Sequence, residues 1–296
     1  MNKIETIFLT GGTGFIGRNF VECFKDKYKI LSPSHKELDL LDTVAVDNFF
    51  KKNKIDVVIH TANIGGLRNS MVLNDSIKNN LKMFFNIVKN KNYFKKMIHF
   101  GSGAEYGKSK DIINVKESDF GLNIPSDDYG FYKYVCSKYI ENSTNIYCLR
   151  IFGVFGKYED FTIKFISNLL CKYIYKMPLT LIRDCKFDYV YIDDFMKIIE
   201  YFIKNDLKEK FFNVGSGNKY SLLELAKEIN KLDNYSLPII VKQNGLNKEY
   251  TSNNDLLKKE IKNLKLTKIE VAIKDLYRYY LSNKSIINPN LLIKNE

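Results

Sequence analysis

Thr10-Gly11-Gly12-Thr13-Gly14-Phe15-Ile16-Gly17 decides the fold. The apolar run Ile7-Phe8-Leu9 precedes it, and a helical pattern through Phe20, Val21 and Phe24 follows. The order is strand, tight turn, helix. Gly11 allows the turn, Gly14 lets the backbone approach a pyrophosphate, and Gly17 permits close helix–strand packing. The phosphates then rest on a helix N-terminus. The spacing is G-x-x-G-x-x-G rather than G-x-G-x-x-G, and an ordinary strand-to-helix turn shares it.

Outward from this turn, apolar runs at 6–9, 28–31, 56–60, 97–100 and 146–151 alternate with helical stretches near 15–26, 43–53, 76–90 and 130–142. The alternation predicts βαβ units and an α/β fold, a doubly wound parallel sheet of the Rossmann type. Ligands bind such sheets beyond the carboxyl ends of the strands. After about residue 155 the rhythm changes. A helical stretch at 160–176, a strand at 187–192, a helix at 193–204 and a strand from 211 follow. Ser221 and Glu224 have capping-box spacing and open a further helix. The expected division is a dinucleotide-binding domain over 1–156, with 187–215 returning to it, and a smaller C-terminal α/β substrate-binding lobe over 157–186 and 216–296. The polar tail, 281–296, is expected to fray.

The chain has 296 residues, 45% of them hydrophobic, enough for one large core or two. It has no apolar run of 18 residues, so no membrane span is expected. The N-terminus enters a strand almost at once, and no signal peptide is expected. Cys23, Cys136, Cys148, Cys171 and Cys185 are odd in number and widely spaced. They read as reduced core residues of a cytoplasmic protein, not as a disulfide framework or zinc site. With only His35, His60 and His99, no metal site is expected. The net charge of +12 is almost all lysine, scattered among Asn and Ile, with only five arginines. That pattern is a compositional bias rather than a nucleic-acid stripe. It suits an anionic small substrate through steering.

Tyr129 and Lys133 lie four apart in Asp128-Tyr129-Gly130-Phe131-Tyr132-Lys133. On a helix these positions share a face, so a phenol and an ammonium can point into one cleft. A neighbouring ammonium favours a phenolate, which suits proton transfer. Tyr-x-x-x-Lys is common by chance; with the glycine turn upstream it points to hydride chemistry.

Together these stretches resemble the extended short-chain dehydrogenase/reductases, the nucleotide-sugar epimerase, dehydratase and reductase group, over roughly residues 5–280. Asp39-Leu40-Leu41-Asp42, Val58-Ile59-His60-Thr61-Ala62, Asn80 with Asn86, Gly101-Ser102 before Tyr106-Gly107, Leu149-Arg150-Ile151-Phe152-Gly153 and Tyr189-Val190-Tyr191-Ile192-Asp193-Asp194 also carry the likeness, as does Phe212-Asn213-Val214-Gly215-Ser216-Gly217. The resemblance implies that Tyr129 is the general acid/base, that Lys133 assists it and holds the nicotinamide ribose, and that Ser102 bonds the substrate oxygen. It implies a cofactor site of Gly11, Thr13, Gly14, Phe15, Ile16, Gly17, Asp39, Leu40, Thr61, Ala62, Asn63 and Asn80, with Tyr129 and Lys133. His60 and His99 otherwise read as core or strand-end histidines.

Two departures from the family pattern discriminate among its chemistries. Sugar-nucleotide 4,6-dehydratases carry acidic or Ser/Glu pairs just after the active Ser/Thr. Here those positions are Gly103 and Ala104, and Glu105 is one residue out of register, which in a strand turns it to the other face. The chain looks closest to GDP-fucose synthases and related 4-ketoreductases. It has Ala104 where those enzymes epimerise with a cysteine, and no histidine in 157–186. A nucleotide-sugar 4-ketoreductase without epimerase activity is expected, serving surface-polysaccharide sugar biosynthesis.

The second departure is Ser32-Pro33-Ser34-His35-Lys36, which has no acid before Glu37. A carboxylate there would bind the NAD ribose. Ser34, His35 and Lys36 suit a 2′-phosphate, so NADP(H) is favoured and NAD(H) remains possible; Arg18 could assist. Substrate contacts are expected from Ser102, Gly103, Ala104, Arg68, Arg183 and Lys248, with Lys186 a further cation. The partner is a nucleotide-diphosphate sugar, with no nucleic acid and no membrane. The alternatives are an NAD-dependent nucleotide-sugar 4-epimerase and a non-catalytic, cofactor-sensing member of the fold. In this family helices like 76–90 and 130–142 pair between subunits, which implies a homodimer.

Overall fold

The computed structural model describes residues 4–65 and 75–293. Its first elements are β1 (Thr6–Thr10), α1 (Phe15–Phe24), β2 (Lys29–Leu31), α2 (Thr43–Lys52), β3 (Val57–His60), α3 (Ser76–Val88) and β4 (Lys96–Ser102). Next come β5 (Ile112–Val115), α4 (Asp128–Glu141), β6 (Ile146–Ile151), β7 (Gly153–Phe155), α5 (Phe165–Ile174), β8 (Leu179–Leu181), β9 (Lys186–Phe187) and β10 (Tyr189–Tyr191). The chain continues through α6 (Ile192–Lys204), β11 (Phe211–Val214), β12 (Tyr220–Ser221), α7 (Leu222–Ile229), β13 (Ile239–Val241), β14 (Tyr250–Ser252), α8 (Asp255–Glu260) and α9 (Ile269–Ser282).

Two compact units divide the chain. The first comprises 1–109, 116–151 and 196–214. Its six-stranded sheet runs β11-β6-β4-β3-β1-β2, every neighbouring pair parallel. β3 and β4 are buried along their whole lengths, as expected of strands covered on both faces. Phe8, Phe50, Phe84, Phe94 and Ile140 are part of one core cluster of this unit. Local chemistry fixes the element ends. The Asp42 carboxylate accepts the N–H groups of Val44 and Ala45 and caps α2. Buried Lys96 donates to the carbonyl oxygens of Phe202 and Asn205 at the end of α6, where a cation also meets the favourable end of the helix dipole.

The second unit comprises 110–115, 152–195 and 215–296. A sheet ordered β12-β9-β14-β5 and two two-stranded sheets frame it, and α5, α7 and α9 supply much of its core through Leu170, Leu225, Ile273 and Leu276. The division differs from the sequence expectation, since 152–156 and 187–195 lie in this unit. The single strand expected at 187–192 is two, split at Asp188. That buried carboxylate accepts the Ser216 N–H and hydroxyl, the Gly217 N–H and the Ser252 hydroxyl. β9 and β10 then join different sheets. Nor does the tail simply fray: Ile287 and Leu292 are buried in the core.

Candidate active site

The glycine turn has the geometry its sequence implies. Gly11 has φ +71°, and a side chain there would also strike Thr61 and Ala62. A Cβ on Gly17 would lie 2.2 Å from the Gly11 carbonyl oxygen, so α1 approaches β1 only because that carbon is missing. Gly14 is the N-cap of α1 and offers no side-chain cap. The first-turn N–H groups are therefore suited to an anion.

Beside the turn lies a cavity of about 190 Å³. Gly11–Thr13, Ser32–His35, Leu38–Leu41 and Ala62–Ile64 line it, with Met83. Apolar walls, a hydroxyl-bearing loop and a glycine-rich helix start fit a dinucleotide. Thr10 shapes the floor: its hydroxyl oxygen lies 2.8 Å from His60 Nδ1 and accepts the N–H groups of Thr61 and Ala62 at 3.2 Å each. Thr61 donates to the Thr10 carbonyl at 2.8 Å.

Several expected cofactor residues also make contacts within the chain. Asn80 clamps the loop from behind, its amide engaging both the N–H and the C=O of Ile64 at 2.9 and 2.8 Å. Lys36 is exposed and does not line the cavity. The Ser34 N–H donates to Glu37 Oε2 at 2.7 Å, which holds the Glu37 carboxyl below its ordinary range. His35 Nδ1 stands 3.7 Å from Asp39 Oδ1. The 32–39 loop thus presents carboxylates as well as donors.

Asp127 caps α4 through the Gly130 N–H at 3.0 Å. Gly130 lets α4 lie against the turn that follows β4, since a Cβ there would be 2.8 Å from the Ala104 carbonyl oxygen. Tyr129 is half-buried and Lys133 buried on this helix. The Lys133 ammonium is 6.0 Å from the Tyr129 ring centre and donates to the Phe100 carbonyl oxygen of β4. Lys108 approaches the Tyr129 ring to 5.4 Å and Asp127 Oδ1 to 3.3 Å. The Tyr132 hydroxyl donates to Asn63 Oδ1, joining α4 to the cavity loop.

Ser102 ends β4, and its Oγ accepts the Ala104 N–H at 3.1 Å. Gly103 and Ala104 are buried in the ensuing 3-10 turn. Glu105 is fully buried and bonded to Arg150 Nε at 2.8 Å. His60 and His99 stack 5.5 Å apart. Burial, helped by the Lys133 charge, lowers His60 to about 3 and His99 well below its usual value. Both belong to the core beneath the site.

Arg68 lies outside the described residues. Arg183 and Lys248 belong to the second unit, where Arg183 donates to Gln243 Oε1 at 2.9 Å. Sequence reasoning passed over Tyr132 and the role of Glu105. Tyr132 stands inside the stretch quoted for Tyr129 and Lys133, but its partner is 69 residues away.

A dinucleotide cradle on a parallel α/β sheet, with a buried lysine and a tyrosine on one helix beside a strand-end serine, defines a class of hydride-transfer proteins. The model of the NAD dependent epimerase/dehydratase family matches residues 7–215, and the chain belongs to that family. Its members of the extended short-chain type depend on NAD(P). The chain is 27% identical to GDP-L-colitose synthase of Yersinia pseudotuberculosis over 260 residues, covering 77% of this chain and 82% of that one. UDP-glucose 4-epimerase of Bacillus subtilis is 25% identical over 286 residues, covering 78% and 83%. The solved structure of a GDP-mannoheptose C4 reductase from Campylobacter jejuni with NADP bound superimposes with TM-score 0.79 at 21% identity, covering 95% of this chain and 99% of that chain.

Proposed function

We propose that the protein reduces the C4 keto group of a nucleotide-linked 4-keto-6-deoxy sugar with NADPH. The observation that carries this reading is the fate of the residues after Ser102. Gly103 and Ala104 have no ionisable group, and the Glu105 carboxylate is turned inward onto Arg150. Among the described residues, neither of the two positions that follow Ser102 carries an acid to expel water or to invert a neighbouring carbon. Proton delivery to one oxygen is what Ser102 and Tyr129 remain equipped for.

The bound cofactor supplies the hydride. Ser102 holds and polarises the carbonyl oxygen. Tyr129 delivers the proton to that oxygen as it becomes an alkoxide. Lys133, anchored on Phe100, places its ammonium beside the phenol and would hold the nicotinamide ribose. Ser34 and His35, lining the cavity, suit a 2′-phosphate, and a related C4 reductase is known with NADP bound. The colitose synthase likeness supports a GDP-linked substrate, with Arg68, Arg183 and Lys248 as candidate cations. Surface-polysaccharide sugar synthesis in the cytoplasm, by a homodimer paired through α3 and α4, completes the reading. Phe85 and Phe131 keep 39% and 37% exposure on those helices.

An NAD-dependent nucleotide-sugar 4-epimerase is the second reading. The Asp39 carboxylate, which lines the cavity, favours it, because it suits a ribose 2′-hydroxyl. Purified protein tested with NADPH, NADH and 4-keto-6-deoxy sugar nucleotides separates the two. Net consumption of NADPH supports the reductase; tightly retained NAD with no net consumption supports the epimerase.

A further inference from the structure

We propose that Glu105 is a positioning residue of the hydride site, holding Ser102 in register with the helix that bears Tyr129 and Lys133; this rests on the reading above. The carboxylate bonds to three elements of one unit. Its Oε1 accepts the Ser102 backbone N–H at 2.8 Å. Its Oε2 accepts the Ser137 hydroxyl at 2.6 Å and Arg150 Nε at 2.8 Å. These partners lie on β4, α4 and β6.

The placement is specific to the chemistry on either side. Ser137 follows Lys133 by one helical turn, on the same face of α4. Lys133 bonds to Phe100 and Ser137 to Glu105, so two bonds spaced along the helix fix α4 against the end of β4. A charge buried this deeply is costly unless paired. Arg150 pairs it, with its guanidinium 4.1 Å from the Phe120 ring centre and 4.5 Å from that of Phe211. Arg150 Nη1 also donates to the Tyr106 hydroxyl at 3.3 Å, and that hydroxyl donates to Asn213 at 2.7 Å. Gly101 makes the room: a Cβ there would lie 2.4 Å from Glu105 Oε1 and 2.5 Å from Cys148 Sγ. An ion pair alone would need only Oε2. Oε1 is committed to the backbone from which the Ser102 hydroxyl projects.

Ser137→Ala is the decisive variant, because it cuts the helix arm and leaves the Glu105–Arg150 pair intact. Glu105→Gln is the companion, although an unpaired buried guanidinium endangers its folding. In Ser137→Ala, kcat for ketosugar reduction should fall roughly tenfold to hundredfold, the scale of a small misplacement. KM values should stay within about threefold, and the isotope effect with 4-deuterated NADPH should rise as hydride transfer becomes limiting. Amide hydrogen exchange, which needs no turnover, should quicken over 100–106 and 129–137. Wild-type kcat and isotope effect in this variant overturn the proposal, as does unchanged exchange in both segments. A lower kcat with an unchanged isotope effect marks lost folded enzyme and overturns it too. If wild-type protein reduces no ketosugar with either cofactor, the functional reading fails. The exchange result then decides alone whether Glu105 couples the two elements.

Discussion

Lys133 donates from its ammonium to the main-chain carbonyl of Phe100, and this bond joins the helix of Tyr129 to the strand that ends in Ser102. The charge proposed to assist the phenol is therefore also a fastener. Lys133→Met keeps most of the packed stem and removes both functions. Turnover should drop by about two orders of magnitude or more, a usual scale for losing an acid/base partner. The measurement is kcat at saturating NADPH, with circular dichroism confirming that the protein remains folded.

Gly17→Ala tests the cofactor cradle. The added carbon would sit 2.2 Å from a backbone oxygen, which cannot swing aside as a side chain can. The turn must shift, at a cost of about 1–3 kcal/mol for overpacking. Fluorescence titration with NADPH should show binding weakened about tenfold or more. Wild-type affinity would mean that the turn does not hold the phosphates.

The buried histidines should make the first unit acid-sensitive. His60 falls from 6.5 to about 3 on folding, and burial likewise pushes His99 well below its usual value. Between about pH 6.5 and 3 the unfolded chain then binds more protons than the folded one. Stability is lost as pH falls through that window, with a slope of roughly 1.4 kcal/mol per unit for each histidine. Glu159 in the second unit behaves oppositely. Burial pushes its carboxyl from 4.5 up to about 7, and Ser167 donates to it at 2.7 Å. Its contribution is complete below 4.5 and lost as pH rises through 7. Urea midpoints across pH should fall on the acid side, and Glu159→Gln should remove the loss between 4.5 and 7 while leaving the acid limb in place.

Arg150→Met should destabilise the first unit by about 3–5 kcal/mol, because it strands a buried carboxylate. Urea titration measures it. A change within about 0.5 kcal/mol, typical of surface positions, would mean that the pair carries no weight.

Legibility in the sequence followed the range of the interactions. The β1 turn, α1, and the Tyr129–Lys133 spacing are set by residues within a few positions of one another, and each stands where its pattern implies. Capping at Ser221 was legible for the same reason. Glu105 could be read as turned away from the site, but its partner Arg150 is 45 residues on and meets it only once β4 and β6 pair. The split at Asp188 was hidden likewise, since the run 187–192 reads as one strand until Ser216 and Ser252 arrive to claim the carboxylate. α9 was legible and was passed over: Ile269, Ala272, Ile273, Leu276, Tyr277 and Tyr280 recur at helical spacing and form its buried face.

Net reduction of a ketosugar at this site can be followed in a single assay. Its most direct test follows the absorbance of the reduced nicotinamide with a nucleotide-linked 4-keto-6-deoxy sugar made in situ, for wild type and Tyr129→Phe. We expect rapid loss of NADPH absorbance, slower loss with NADH, and almost none in the variant. No loss with GDP-, dTDP- or CDP-linked ketosugars, or equal rates in wild type and variant, would contradict it.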